Sequence, residues 1–229
     1  MASKNKLERF AEMESFNNIF QPAIDSVKEA DFELKGKWAK HFGNNHPIVL
    51  ELGCGKGEYT IGLAKRYPKK NFIGIDIKGA RIWKGAKQGE QEDIKNACFI
   101  RTKIDFITQF FDKNEVSEIW CTFSDPQPKK PNKRLTSKVF VERYKRFLKK
   151  NGIIHLKTDS DLLMTSTEEE VNRNKYQELF KTWDLYGEGV YELNEEVRDI
   201  LEIRTFYENI WLNEGKSIKY IKFQIEPVS

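Results

Sequence analysis

The chain has 229 residues and a mass of 26.9 kDa, enough for one α/β domain with its own core or at most two small ones. Hydrophobic residues at 39%, with 16 Phe, 8 Tyr and 5 Trp, exclude a wholly disordered, collagen-like or low-complexity chain. The net charge of +4 hides an asymmetry: residues 129–150 hold ten Lys and Arg against Glu142 alone, a local +9 that leaves −5 elsewhere, and a field of that sign suits either a polyanionic partner or a solvated helix face.

No stretch approaches the roughly 20 apolar residues that cross a bilayer, and the first ten residues lack the apolar core of a signal peptide. No membrane partner is expected, and the expected location is the cytoplasm. The unpaired thiol count of Cys54, Cys98 and Cys121 fits that reducing compartment. His41, His46 and His155 are too scattered for a metal set, and no metal is expected.

Residues 1–46 read as an N-terminal helical extension of two polar helices, Lys6 to Phe20 and Ile24 to Lys40, separated at Pro22. Residues 47–229 read as the main domain. Ile48 to Leu52 is a short apolar strand running into a glycine cluster, and the apolar spacing from Tyr59 to Ala64 continues as a helix. The alternation goes on with strand Asn71 to Asp76, helix Ala80 to Gln88, strand Cys98 to Thr102, helix Ile104 to Phe111 and strand Glu118 to Phe123. A Pro- and Lys-rich loop leads to an amphipathic helix, Ser137 to Leu148, with Phe140, Tyr144, Phe147 and Leu148 on one stripe. Ile153 to Lys157 is the fifth strand. A helix follows from Asp161 to Asn174, then a weakly patterned region to Asp199, a helix from Arg204 to Asn213 and a last strand from Ser217 to Gln224. Such alternation predicts an α/β fold, a mainly parallel twisted sheet with helices on both faces and a ligand crevice at the carboxyl ends of its strands.

Gly53, Gly55 and Gly57 lie between the first strand of that series and its helix, flanked by Glu51 and Glu58. Glycine there lets the backbone turn and approach a ligand closely. A dinucleotide site follows G-x-G-x-x-G and sets a pyrophosphate on the helix N-terminus; the spacing here is G-x-G-x-G and a carboxylate stands where that anion would lie. S-Adenosyl-L-methionine carries cationic sulfonium and ammonium groups and no phosphate, so the acids suit it better. Asp76, at the end of the next strand, can accept from ribose hydroxyls of either cofactor, or cap a helix. Ser124, Asp125 and Pro126 follow the fourth strand of the series onto the crevice rim, with Pro128 stiffening the turn. A carboxylate held there beside a lysine ramp can meet the edge of a base, or serve only as a turn residue.

These segments together, with Lys129, Lys130 and Lys133 to Leu135, the run His155 to Asp159, and Thr205 to Glu208, resemble the bacterial tRNA (guanine-N7-)-methyltransferase family, in its order, across residues 48–223. The resemblance implies a Rossmann-like class I methyltransferase fold, S-adenosyl-L-methionine as cofactor and a variable-loop guanosine of tRNA as substrate. It assigns Glu51, Asp76 and Asp125 to the cofactor site, Asp125 also to catalysis, and Lys129, Asp159, Thr205, Phe206, Tyr207 and Glu208 to the substrate. Lys103 stands where the family usually places an aspartate near the adenine, with Asp105 beyond it; Gln127 replaces a common Trp, and the basic loop at Pro131 and Asn132 is shorter than the family's. Lys130, Lys133 and Arg134 are expected to hold tRNA phosphates alongside Lys129. A nicotinamide-dependent dehydrogenase and a noncatalytic RNA-binding module are the competing expectations, and the sequence does not choose between a monomer and a homodimer.

Overall fold

The apolar run Ile48–Leu52 (β2) is buried along its whole length, as a strand covered on both faces must be. It pairs in parallel with β3 (Asn71–Asp76), and β3 with β4 (Ala97–Arg101). In this computed structural model, residues 2–189, 198, 201 and 203–226 are described, and the chain divides into two compact units, Met1–Phe111 and Asp112–Ser229.

In the first unit the strand order is β1, β4, β3, β2, with β1 the two-residue strand Ile19–Phe20. The expected helix Lys6 to Phe20 therefore ends early: α1 spans Ala2–Met13, and the chain then extends to pair with β4. Glu12 on α1 accepts from Trp83 Nε1 at 2.7 Å and Lys87 Nζ at 2.8 Å, both on α5 (Gly79–Gln91). The expected helix Ile24 to Lys40 is two short pieces, α2 (Ile24–Glu29) and α3 (Trp38–Phe42). The break lets Phe20, Phe32, Trp38 and Phe110 meet as one ring cluster, with the fully buried Trp38 donating to the Phe110 carbonyl at 2.8 Å. α4 (Glu58–Arg66) follows the glycine loop. Asn96 Nδ2 lies within hydrogen-bond distance of the carbonyls of Ala64 in its last turn and of Tyr67 and Lys70 beyond it, supplying a donor where helix carbonyls run out of partners. Ile104–Gln109 is a 3₁₀ turn rather than the expected α-helix.

The second unit orders its strands β5 (Val116–Thr122), β6 (Leu148–Thr158), β8 (Lys219–Ile225) and β7 (Gln177–Thr182). β5 and β6 are parallel; β8 runs antiparallel to both its neighbours. The amphipathic helix α6 spans only Lys138–Tyr144, so Phe147 and Leu148 are buried from a turn and from the start of β6, not from a helical stripe. β6 begins five residues earlier than the sequence predicts. Trp120 and His155 stack at 3.8 Å between ring centroids on facing strands, and His155 Nδ1 bonds the Tyr220 hydroxyl at 2.9 Å. α7 (Asp161–Asn174) starts where Ser160 Oγ accepts from the Leu163 amide. β7 occupies part of the weakly patterned region; residues 190–197 and 199 of that region lie outside those described. α8 (Phe206–Asn213) and β8 match the last predicted helix and strand within two residues.

Candidate active site

The first unit presents the glycine loop. Gly53, Gly55 and Gly57 have φ of +77°, +54° and +71°, a region that costs side-chain-bearing residues energy. The amides of Gly53 and Cys54 donate to the Ile75 carbonyl at 2.7 and 3.1 Å, tying the loop to the end of β3. The glycines differ in what surrounds them. A Cβ at Gly53 would meet nothing within 4 Å, and one at Gly55 only the Gly53 carbonyl at 4.0 Å; one at Gly57 would strike the Phe99 ring at 2.6 Å and the Gly85 Cα at 3.1 Å. Gly57 is therefore a packing glycine, and Gly53 and Gly55 border open space.

Acids frame that space. Glu51 is buried, and its Oε2 accepts from the amide and hydroxyl of Thr60 at 2.8 and 2.5 Å, so the strand carboxylate caps α4 at its third residue. Asp76 Oδ2 accepts from the Gly55 amide at 3.0 Å and Oδ1 from the Lys78 amide at 2.8 Å. Both carboxylates act on Cys54: burial first, then the Glu51 and Asp76 charges, push its thiol well above the usual range. The loop thus sits in a negative field, which favours a cationic ligand and opposes a diphosphate. Open glycines and flanking carboxylates fit S-adenosyl-L-methionine. Lys103 is exposed and precedes the 3₁₀ turn.

In the second unit the loop after β5 carries Asp125. The Phe123 amide donates to the Lys157 carbonyl at 2.8 Å, and Asp125 Oδ1 accepts from the Gln127 amide at 2.9 Å, an Asx turn that leaves the carboxylate exposed. Phe123 and Gln127 take φ of +50° and +46°, uncommon for residues other than glycine, on either side of this acid. Lys129, Lys130 and Lys133 are exposed. Arg134 is not: it is 8% exposed, its Nε donates to the Pro126 carbonyl at 2.9 Å and its Nη1 to Ser166 Oγ on α7 at 2.7 Å. The expectation that Arg134 holds phosphate is corrected here, because both bonds spend the guanidinium on bracing the Asp125 loop.

Asp159 lies just past β6 on a cleft of about 500 Å³ lined also by Asp161, Trp183, Lys216, Ser217 and Lys219, and its carbonyl accepts from Lys219 Nζ at 3.0 Å. Thr205 and Glu208 form a capping box at the start of α8, and Phe206 and Tyr207 project outward at 48% and 36% exposure. Glu208 is fully buried and pairs at 2.7 Å with Lys157, equally buried, so the expectation that its side chain binds substrate is corrected: the carboxylate is used inside the protein. Sequence reasoning assigned Lys157 no role, and no local pattern signals it: its burial, with the whole run from Ile154 to Thr158, is visible only in the fold. Among the described residues no cluster of His, Cys, Asp and Glu could hold a metal ion, and no helix is long and apolar enough to cross a membrane.

Residues 45–221 match the family described as "Putative methyltransferase". Over 223 residues the chain is 53% identical to a tRNA (guanine-N(7)-)-methyltransferase of Bacteroides thetaiotaomicron, covering 97% of this chain and 86% of that one. It is 50% identical over 229 residues to the enzyme of the same name from Christiangramia forsetii, covering 99% and 100%. Among solved structures, the 16S rRNA methyltransferase KamB superposes with a TM-score of 0.63 at 10% identity over 84% of this chain and 94% of that one, and an antibiotic-related methyltransferase with 0.59 at 16% over 87% and 97%; both share the fold. The fold is the Rossmann-like class I methyltransferase fold, and the chain belongs to the tRNA (guanine-N7-)-methyltransferase family.

Proposed function

We infer that the chain methylates N7 of a guanosine in the variable loop of tRNA, with S-adenosyl-L-methionine as donor. The observation that carries the donor's identity is the open pair Gly53 and Gly55 in a field made negative by Glu51 and Asp76. When bound, the cofactor supplies an electrophilic methyl group on a sulfonium. Asp76 would hold its sugar, and the open space at Gly53 and Gly55 would receive its amino-acid end. Glu51 acts from behind, fixing α4 and contributing charge; Lys103 and Asp125 complete the proposed cofactor contacts.

Guanine N7 carries an in-plane lone pair at neutral pH, so no proton must be removed before it attacks. What the protein must supply is alignment and compensation of charge as the purine becomes cationic. Asp125 is the proposed catalytic residue for both: its carboxylate accepts from the N1 and N2 hydrogens of guanine, or offsets the positive ring. The Asx turn and the Arg134 brace support this by limiting the loop's freedom. Lys129, with Lys130 and Lys133, holds phosphate, while Asp159 and the segment Thr205, Phe206 and Tyr207 form the rest of the substrate side, with Glu208 buried beneath that segment; exposed aromatic rings suit stacking on bases.

Incubating the protein with methyl-labelled S-adenosyl-L-methionine and unmodified tRNA, then mapping the labelled nucleoside, tests the reading. Label in 7-methylguanosine of the variable loop is expected. Retention of tRNA without transfer would point to a binding module, and binding of NAD in place of the methyl donor to a dehydrogenase.

A further inference from the structure

The substrate segment that opens α8 is held from beneath by a charged group the reaction itself does not use. Lys157 Nζ, with its side chain fully buried, lies 2.7 Å from Glu208 Oε1 and donates to the Leu201 carbonyl at 2.6 Å; the Tyr186 hydroxyl lies 3.2 Å from the same nitrogen and 2.5 Å from the same carboxylate oxygen. Glu208 Oε2 accepts from the Thr205 amide at 3.3 Å. Two residues beyond Lys157 the same strand delivers Asp159. A single ammonium therefore ties four stretches of the second unit: the end of β6, the turn at Tyr186, the backbone at Leu201 and the start of α8.

Building on the function proposed above, we propose that Lys157, through Glu208 and Tyr186, is a positioning residue that sets the placement of Thr205 to Tyr207 for tRNA. A buried ion pair rarely adds net stability over an apolar pair of the same shape, whereas breaking one partner is costly. Its presence here is explained by geometry: it gives the segment one docked position. Neither charged side chain reaches solvent, so neither touches RNA in this arrangement, and its effect on substrate passes through the backbone that it anchors.

Burial pushes the Lys157 ammonium down to about 8; the Glu208 carboxylate opposes that shift and the Arg204 guanidinium adds to it. The other groups facing it are the Tyr186 hydroxyl and, in register on the neighbouring strands, Thr122 of β5 and Tyr220 of β8, whose hydroxyl bonds His155. Above about pH 8 the ammonium is lost and the segment loosens. The same step does not unfold the protein. With the folded pKa below the free value of 10.5, the unfolded chain holds the extra proton between the two, so this group's contribution to stability rises with pH across that window.

The test compares wild type, K157M and the charge-neutral pair K157M/E208Q, measuring methylation kinetics with tRNA from pH 6.5 to 9, cofactor binding by calorimetry, and thermal unfolding. For wild type, formation of 7-methylguanosine is the control on the function itself, and KM for tRNA is expected to rise above pH 8 while the unfolding temperature does not fall. K157M is expected to raise KM between about 10- and 100-fold, leave cofactor affinity unchanged and abolish the pH dependence. If K157M does not fold, the double variant, which leaves no buried charge unpaired, carries the same expectation. An active wild type whose KM is flat from pH 7 to 9 overturns the proposal, as does either folded variant with a wild-type KM. A wild type that forms no 7-methylguanosine overturns the function instead.

Discussion

Gly55 and Gly57 share the left-handed backbone but not their surroundings, and exchanging each for alanine separates cofactor binding from packing. At Gly55 the new methyl meets only a carbonyl oxygen at 4.0 Å, so the cost in stability is the backbone term, about 1–2 kcal/mol. At Gly57 the methyl lies 2.6 Å from the Phe99 ring and 3.1 Å from the Gly85 backbone. Phe99 is fully buried and is itself packed against Gly74 and Gly85, where a Cβ would also fall under 3 Å from it. The ring has no room to retreat, and overpacking adds about 1–3 kcal/mol, a total of roughly 2–5 kcal/mol for Gly57→Ala. Urea unfolding without cofactor gives both values, and calorimetric titration with S-adenosyl-L-methionine gives affinity. Gly55→Ala should fold nearly as well as wild type yet bind the donor at least about tenfold more weakly, a loss of about 1.4 kcal/mol. A Gly55→Ala protein that binds the donor normally, or a Gly57→Ala protein no less stable than Gly55→Ala, would refute the division into a cradle glycine and a packing glycine.

Asp125→Ala should lower kcat by far more than it weakens donor binding, and Asp125→Asn, which keeps an oxygen to accept from the Gln127 amide, should preserve the loop yet lose the same turnover; near-normal rates in single-turnover assays of either would remove Asp125 from catalysis. Neutralising Lys129, Lys130 and Lys133 together should reduce the slope of log affinity for tRNA against log salt by about 0.7–0.9 for each phosphate that the protein no longer neutralises, leaving donor binding unchanged; an unaltered slope in filter-binding titrations would count against the patch. Arg134→Met, by contrast, should depress kcat with the salt slope intact, because this guanidinium is buried on Pro126 and Ser166. A slope that falls as it does for a lysine would return Arg134 to the phosphate set.

Where apolar periodicity and a turn residue coincide, the fold is legible from sequence: β2, the glycine loop, α4 and β3 lie within a residue or two of expectation, since a wholly buried strand running into glycines has few alternative conformations. The misread elements are those whose structure depends on distant partners. β1 is two residues long and exists because β4 offers it an edge; the half-exposed β7 lacks clean alternation, with a register shift between Glu178 and Phe180; α6 stops when Phe147 and Leu148 are claimed by the sheet.

Charged residues divide along the same line, and the division explains which site assignments sequence patterns can carry. A run of lysines and arginines reports a field but not which members face water. Lys129, Lys130 and Lys133 face outward and can neutralise phosphate, whereas Arg134, adjacent in sequence, turns inward to hold the loop. Glu208 presents the same ambiguity within a motif whose neighbours Phe206 and Tyr207 are exposed. Its burial becomes intelligible only with Lys157, 51 positions earlier, because a carboxylate cannot be taken from water without a partner, and no local pattern in the sequence names that partner. Arg134 and Glu208 thus each lie one residue away from exposed groups suited to RNA, and the physical reason is common to both cases: a loop or helix start can present aromatic rings and lysines in a fixed geometry only if something beneath it is strongly and directionally bonded.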